Sequence, residues 1–277
     1  MISKQPYPIK NILGVHIWAI PQKSLPKLIT RLVESASKHL FMYVNAHTLN
    51  IAQRDFEYKN ILNNASLVYS GGIGPMLASK ILGQPLPERA PTPDFIDKVF
   101  AKAQSKKWSV YLLGTKEKSL KLFIKQLKQK FPKLDICGFH HGYFNHEEEK
   151  SIINEINSLK PTLLIVGMGT PKQEKWVNNN MAQLNARAFW VVGALFDVMA
   201  GVLPRAPKWI QNLGLEWLYR FLQEPRRLWK RYLIGNVIFI LRIILSLINQ
   251  AIFARIHLTN YIQIPLEFLI KKKISNS

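Results

Sequence analysis

The stretch LLIVGMGTPKQE, residues 163–174, sets a short apolar run directly before a glycine-rich turn and a polar segment. Four successive aliphatic residues, Leu163–Val166, predict a strand that is buried on both faces, as in the middle of a parallel sheet. The turn that follows, Gly167 to Glu174, lies where a strand gives way to a helix. This stretch therefore predicts one strand–turn–helix unit of an α/β fold.

Five further apolar runs repeat this arrangement along the first 200 residues, and segments of helical periodicity separate them. A helix is predicted from Leu49 to Asn63, another behind the candidate N-cap Ser24, and a third from Lys116 to Lys133 with its lysines in water. Alternating strands and helices predict a Rossmann-like parallel sheet with flanking helices over residues 1–200. The other runs are Phe41–Val44, Leu67–Tyr69, Trp108–Leu113, Leu134–Cys137 and Phe189–Val192.

The pattern changes after Gly201, so residues 201–277 are predicted to form a basic, amphiphilic, helical appendage. Its run from Tyr232 to Ile256 is long enough to span a membrane, but polar residues such as Arg242 interrupt it. Basic clusters flank the run, including Lys271 to Lys273. We therefore expect peripheral anchoring on an anionic cytoplasmic leaflet. The alternative is a buried helical hairpin packed on the α/β domain.

The net charge of +21 calls for an anionic partner, and residues 201–277 carry 12 Lys and Arg against 3 Asp and Glu. Nucleic acid, anionic lipid and nucleotide-diphosphate substrates all suit this charge. Nucleic acid is disfavoured because no recognised binding motif accompanies it. The single cysteine, Cys137, excludes an internal disulfide framework and a multi-cysteine zinc site. No secretory signal is recognisable at the N-terminus, so we expect a cytosolic start.

Glycine and small polar residues recur directly after the predicted strands, where a parallel sheet gathers its ligands. No P-loop is present, and the second of these turns lacks the third glycine of a dinucleotide-binding fingerprint. ATPase and dehydrogenase activities are therefore disfavoured. The strand exits are Asn45 and His47, Gly71 to Gly74, Gly114-Thr115, Gly138 to Gly142, Gly167 to Glu174, and Gly193 to Asp197.

A series of motifs in fixed order resembles the WecG/TagA/CpsF family of bacterial glycosyltransferases, from about Ile12 to Tyr232. The motifs are Asn45-Ala46-His47, Asn64 to Gly74, Pro87-Glu88-Arg89, His141-Gly142-Tyr143-Phe144, Gly167-x-Gly169-x-Pro171-Lys172-Gln173-Glu174, Gly193-Ala194-x-Phe196-Asp197-x-x-Ala200-Gly201, Arg205-Ala206-Pro207-x-Trp209, Gly214 to Arg220, and Glu224-Pro225-Arg226-Arg227.

The resemblance implies an inverting transferase of bacterial surface polysaccharide or teichoic acid synthesis. It would move an N-acetylmannosamine-type sugar, or another hexose, from UDP to a polyprenyl-diphosphate-linked sugar. Neither a metal nor another cofactor is implied, and the chain carries no Asp-x-Asp motif. Arginines would then neutralise the departing diphosphate. The oligomeric state is left open, a homo-oligomer included.

The resemblance also assigns candidate site residues. Diphosphate neutralisation falls to Arg220, Arg227 and Arg231, which lie in the appendage. The sugar and nucleotide pocket is expected to be lined by Asn45, Gly71, Gly72, Arg89, Gly169 and Gln173. Position 43 is Tyr where some members carry Thr, which predicts a different sugar pocket.

One position departs from the family pattern: Gly71 stands where the family's catalytic aspartate usually precedes Gly-Ile-Gly. His47 is the first candidate for a substitute base, since a neutral imidazole accepts a proton near pH 7. Asp94 is the second, whereas Asp197 is expected to be a structural acid beneath Gly193. In an enzyme that has lost its base, an aspartate introduced at position 71 is expected to fit the loop and raise activity strongly; in an enzyme that uses His47, it would add little. The alternative is a catalytically silent relative that binds UDP-sugar or the lipid-linked acceptor.

Overall fold

A computed structural model describes residues 6–252, in which six parallel strands form the central sheet. A separate antiparallel hairpin precedes them. The hairpin consists of β1 (Ile9–Ile12) and β2 (Val15–Trp18), and the sheet of β3 (His39–Val44), β4 (Leu67–Ser70), β5 (Ser109–Gly114), β6 (Asp135–His140), β7 (Leu163–Gly167) and β8 (Ala188–Val191). The sheet order is β4-β3-β8-β7-β5-β6. The predicted parallel α/β fold is confirmed.

Two details of the strands differ from the sequence-based expectation. Strand β6 continues to His140, so Gly138 lies within it and not in a loop after it. The β1–β2 hairpin was not predicted. Its two-residue turn places both Leu13 and Gly14 at positive φ, and a leucine in that conformation gives no recognisable turn signal.

Eleven α-helices precede the C-terminal helix within the described residues. They are α1 (Leu25–Val33), α2 (Ala46–Ala52), α3 (Phe56–Asn64), α4 (Ile73–Ile81), α5 (Ile96–Lys106), α6 (Glu117–Lys130), α7 (His146–Leu159), α8 (Lys172–Asn180), α9 (Leu195–Met199), α10 (Lys208–Asn212) and α11 (Glu216–Gln223). The single helix predicted from Leu49 to Asn63 is wrong. Asn45 and Asp55 each accept a capping hydrogen bond and so begin two separate helices. Ser24 precedes α1 without a side-chain cap.

The sheet separates two buried apolar layers. Helix α6 packs into one layer through Leu120 and Phe123. The other layer includes Leu49 of α2 and two residues of the C-terminal segment, Phe239 and Ile243. The C-terminal segment is therefore attached to the face of the sheet opposite α6.

The C-terminal segment is one continuous helix, Pro225–Ile252, which is long and apolar enough to cross a membrane by length and composition. We call it the C-terminal helix. It packs against α2, where the Asn50 side chain donates to the Gly235 carbonyl at 2.6 Å and accepts from Arg242 at 2.7 Å. No second helix of the alternative hairpin is present within residues 6–252, and Lys271 to Lys273 lie outside the described residues. The division at residue 200 stays a prediction.

Candidate active site

A cleft of about 1360 Å³ opens at the carboxyl ends of β3, β4 and β8, and the appendage forms its opposite wall. Because the strands are parallel, their exits share one edge of the sheet. The sequence-predicted residues that line the cleft are Asn45, His47, Gly71, Gly72, Arg89, Gly169, Arg220, Arg227 and Arg231. Residues more than 180 positions apart thus meet at one site, and the arginines face the glycine turn as expected.

The glycines of the strand exits divide into two groups. Gly71, Gly72, Gly74, Gly169 and Gly193 line the cleft. The others, Gly114, Gly142 and Gly167, sit against one another and against the Gly193 carbonyl. A Cβ on Gly114 or Gly167 would collide with backbone, and one on Gly142 with the Met168 side chain. This second group permits close approach of neighbouring turns, and only the first group borders the space available to a ligand.

An ion-pair network fastens the appendage to the α/β domain. Arg205 donates to Asp94 at 2.6 Å and to Glu216 at 3.0 Å. Arg89 joins the same network by donating to the Gln211 carbonyl at 2.7 Å and to Glu216 at 3.3 Å. Sequence reasoning placed Arg205 within a family motif but missed this role, because its partners are up to 111 positions away.

Asp94, the second candidate base, is committed to this network. Its carboxylate pairs with Arg205, and it is not among the residues that line the cleft. Its Oδ1 is engaged by the Arg205 guanidinium and does not border the space where an acceptor hydroxyl could bind. The geometry therefore argues against Asp94 as the base.

Gln173 was expected in the pocket but is fully buried beneath it. Its carbonyl oxygen accepts from the Gly193 backbone at 3.0 Å, and its amide donates to Glu174 at 2.9 Å. The side chain therefore supports the turn after β8 from below. Asp197 is a hydrogen-bonded acid as expected, although its partner is the Thr115 hydroxyl at 2.5 Å.

Two of the three arginines expected at the diphosphate share one carboxylate. Arg227 donates to both oxygens of Glu224, at 2.8 and 2.7 Å, and Arg220 also pairs with Glu224. The hydrogen bonds from Arg227 lower the pKa of Glu224. Arg231 differs from them, because its buried Nε has no hydrogen-bond partner among the described residues. The three guanidinium groups lie together at the cleft, where a negatively charged group of a ligand could replace the Glu224 carboxylate.

His47 lies in the cleft, and its environment makes it a weak base. Burial, with a smaller contribution from the positive charge of Arg231, lowers the pKa of His47 to about 4. The imidazole is therefore neutral at pH 7, as expected for a proton acceptor. However, a conjugate acid with so low a pKa gives little driving force for removing a proton.

The Tyr43 ring occupies the space that a side chain at position 71 would need. A Cβ built on Gly71 would lie 2.8 Å from Cδ2 of Tyr43 and 3.3 Å from both its Cβ and its Cγ. At the far end of the ring, the hydroxyl lies against Gly193. The expectation that an aspartate fits at position 71 is therefore wrong for this chain, because the base of the Tyr43 side chain is fixed to strand β3.

The cleft is strongly cationic. Of the described residues that line it, seven are Lys or Arg and one, Glu216, is acidic. The seven are Arg54, Arg89, Arg205, Arg220, Arg227, Lys230 and Arg231. Within residues 6–252, no group of three or more His, Cys, Asp or Glu side chains is arranged to hold a metal ion. The arrangement suits a ligand with several negative charges and apolar parts.

The chain belongs to the glycosyl transferase WecG/TagA/CpsF family, whose model matches residues 10–252.

Two relatives come from Staphylococcus aureus, strains MW2 and NCTC 8325 / PS 47. Each is named N-acetylglucosaminyldiphosphoundecaprenol N-acetyl-beta-D-mannosaminyltransferase. Both are 32% identical to this chain over 198 residues, which is 72% of this chain and 76% of the relative. The family resemblance read from the sequence is thereby confirmed.

Proposed function

We propose that the protein transfers an N-acetylmannosamine-type sugar from a UDP-sugar to a polyprenyl-diphosphate-linked N-acetylglucosamine. The relatives' names support the acceptor and the transferred sugar. The cationic cleft carries the proposal, because both the UDP leaving group and the lipid diphosphate are anionic. Arg220, Arg227 and Arg231 would neutralise the departing diphosphate, and Asn45 and Arg89 would border the donor.

The C-terminal helix suits a lipid-linked acceptor because it presents apolar side chains in two directions. One set, including Ile234, Phe239 and Ile243, lines the cleft. Another set, including Val237, Leu241 and Ile248, is about half exposed. A bilayer that covered the exposed set would bring the polyprenyl chain to the cleft from the side. We therefore place the protein peripherally on the cytoplasmic face of the membrane.

Arg242 supports an interfacial position for this helix. Its guanidinium donates to the carbonyl and the side chain of Asn50 on α2, at 2.9 and 2.7 Å. A helix that spanned the bilayer would have to leave α2 and take this charge into hydrocarbon, at a cost of about 3 kcal/mol. Packed as it is, the helix keeps Arg242 against the α/β domain.

Release of UDP tests the proposed activity. Purified protein is incubated with a panel of UDP-hexoses and UDP-N-acetylhexosamines, with and without a short-chain polyprenyl-diphosphate N-acetylglucosamine. UDP should accumulate with an N-acetylmannosamine-type donor, and only when the acceptor is present. No release with any donor would contradict the activity, and faster release with another hexose would reassign the donor.

A catalytically silent relative is the second candidate, and Gly71 is the observation that favours it. Such a protein would bind UDP-sugar or the lipid-linked acceptor in the same cleft without transfer. Calorimetric binding of UDP by a protein that releases none in the panel would support this alternative.

Membrane binding should depend on the exposed face of the C-terminal helix. Leu241→Glu removes an apolar contact worth about 1.5–3 kcal/mol and adds a charge that an anionic surface repels. Co-sedimentation with anionic phospholipid vesicles should weaken by about 10- to 100-fold. Leu122→Glu is the matched control, since Leu122 is also exposed but lies on α6 beyond the opposite face of the sheet. Equal binding by both variants would contradict the anchoring role.

A further inference from the structure

Tyr43 is the polar group at the place in the cleft where the family's carboxylate is missing. Its ring fills the space beside Gly71, and its hydroxyl lies against Gly193. Tyr43, Gly71 and Gly193 all line the cleft. The Tyr43 hydroxyl is thus a candidate to form a hydrogen bond with a substrate hydroxyl in this part of the cleft.

A chain of polar groups leads from this hydroxyl into the protein interior. Thr170, which also lines the cleft, acts on the Tyr43 hydroxyl as a side-chain hydrogen-bond partner that opposes the rise of the Tyr43 pKa. Thr170 Oγ1 in turn donates to Oε1 of Glu174 at 2.8 Å. Glu174 is 1% exposed, and its other oxygen, Oε2, has no hydrogen-bond partner among the described residues. A buried carboxylate with unused accepting capacity is costly and needs a reason.

We propose that Tyr43, Thr170 and Glu174 form a proton relay that takes the place of the missing carboxylate at position 71. The relay rests on the proposed transferase function. Tyr43 is the catalytic residue because it would touch the acceptor hydroxyl. Thr170 and Glu174 act through it.

The relay balances as one concerted transfer. The acceptor O–H bond breaks, and its electron pair forms the new bond to the anomeric carbon. The bond from that carbon to the diphosphate oxygen breaks, and UDP leaves with the electron pair. The acceptor proton moves to Tyr43 Oη, the phenolic proton to Thr170 Oγ1, and the Thr170 proton to Glu174. No phenolate has to form, which agrees with a Tyr43 pKa that burial raises to about 12.

The surroundings of Glu174 suit a proton acceptor. Burial raises its pKa, while hydrogen bonds from Gln173 and Thr170 oppose that rise. The titratable groups that face it are Tyr43 from β3 and Tyr58 from α3, both neutral near pH 7. On the cleft side, Arg231 and Tyr232 of the C-terminal helix act on Tyr43. Since the relay needs ionised Glu174, kcat should fall as the pH falls through this raised pKa.

Two isosteric variants test the relay, with matched controls. Tyr43→Phe and Glu174→Gln should each lower kcat by about 10²- to 10⁴-fold, as for loss of a general base. UDP affinity should stay unchanged. Glu174→Gln should also abolish the fall of kcat at acidic pH. The matched controls lie outside the cleft. Tyr69→Phe removes a buried tyrosine hydroxyl, and Glu155→Gln removes a carboxylate that accepts a hydrogen bond from a tyrosine. Both variants should keep the wild-type kcat.

The outcomes separate the relay from the proposed function. A wild-type protein that releases no UDP with any donor overturns the transferase function, and the relay with it. An active wild type together with a fully active Tyr43→Phe variant overturns the relay alone. A fall of kcat at acidic pH that is retained in Glu174→Gln also overturns it, as would loss of activity confined to His47→Ala, which would identify the imidazole as the base.

Discussion

The Gly71→Asp variant should turn over more slowly than the wild-type protein, although it restores the carboxylate that the family usually carries there. The new Cβ would lie 2.8 Å from Cδ2 of Tyr43, so the ring has to move. Overpacking of this kind costs about 1–3 kcal/mol of stability. It would also displace the Tyr43 hydroxyl from Thr170 and so break the relay. A lower Tm and a kcat reduced by about 10²-fold or more are expected.

Adding Tyr43→Thr should reverse the effect. The smaller side chain frees the space beside position 71, and the aspartate can then accept the acceptor proton directly. Tyr43→Thr alone should be as slow as Tyr43→Phe, because neither residue 43 nor residue 71 then serves as a base. The two substitutions are therefore each harmful singly and compatible together, which a double-mutant cycle of kcat measures.

Two outcomes of that cycle would contradict the account. Additive losses in the double variant would show that residues 43 and 71 do not share one space and one role. A large increase in kcat for Gly71→Asp alone would show that the Tyr43 ring moves aside at little cost and takes no part in catalysis. If only the double variant is active and the wild type is not, the silent alternative is the better description of the natural protein.

Loss of either appendage arginine should have the next largest effect. Arg220→Ala and Arg227→Ala should each lower kcat by about 30- to 1000-fold, which corresponds to about 2–4 kcal/mol of lost charge stabilisation at the diphosphate. In the proposed mechanism the diphosphate oxygens replace the Glu224 carboxylate, to which both arginines already donate. Lys should substitute poorly because it lacks the bidentate fork.

Arg226→Ala is the matched control for these variants. Arg226 is adjacent to Arg227, equally charged and also exposed, but it does not line the cleft. Its replacement should leave kcat close to the wild-type value. Similar losses for Arg226→Ala and Arg227→Ala would indicate a general effect of net charge. Full activity of both Arg220→Ala and Arg227→Ala would remove the arginines from the mechanism.

The sheet and the position of the cleft could be predicted because they follow from local patterns. Apolar runs such as Leu163–Val166 are long enough to define buried strands, and a glycine directly after a strand marks its exit. Once the strands are parallel, all exits lie at one edge. That the arginines of the appendage lie at this edge was predicted from the family motifs, because no local sequence signal indicates it.

Long-range side-chain contacts could not be predicted from the sequence. Asp94 is removed from the candidate bases by Arg205, which lies 111 positions away. The incompatibility of Tyr43 with a side chain at position 71 depends on the pairing of β3 with β4, in which Tyr43 is level with Tyr69. The burial of Gln173 depends on how the turns after β7 and β8 stack. None of these contacts produces a periodic pattern in the sequence from which it could be predicted.

Detection of the transferred product tests the central claim most directly. The wild-type protein is incubated with UDP-N-acetylmannosamine and short-chain polyprenyl-diphosphate N-acetylglucosamine in the presence of EDTA, and the lipid fraction is analysed by mass spectrometry. The account predicts a lipid-diphosphate disaccharide that is heavier than the starting lipid by one N-acetylhexosamine residue and is formed in equal amount with UDP. An unchanged lipid in spite of tight UDP binding, or a product whose formation EDTA abolishes, would contradict it.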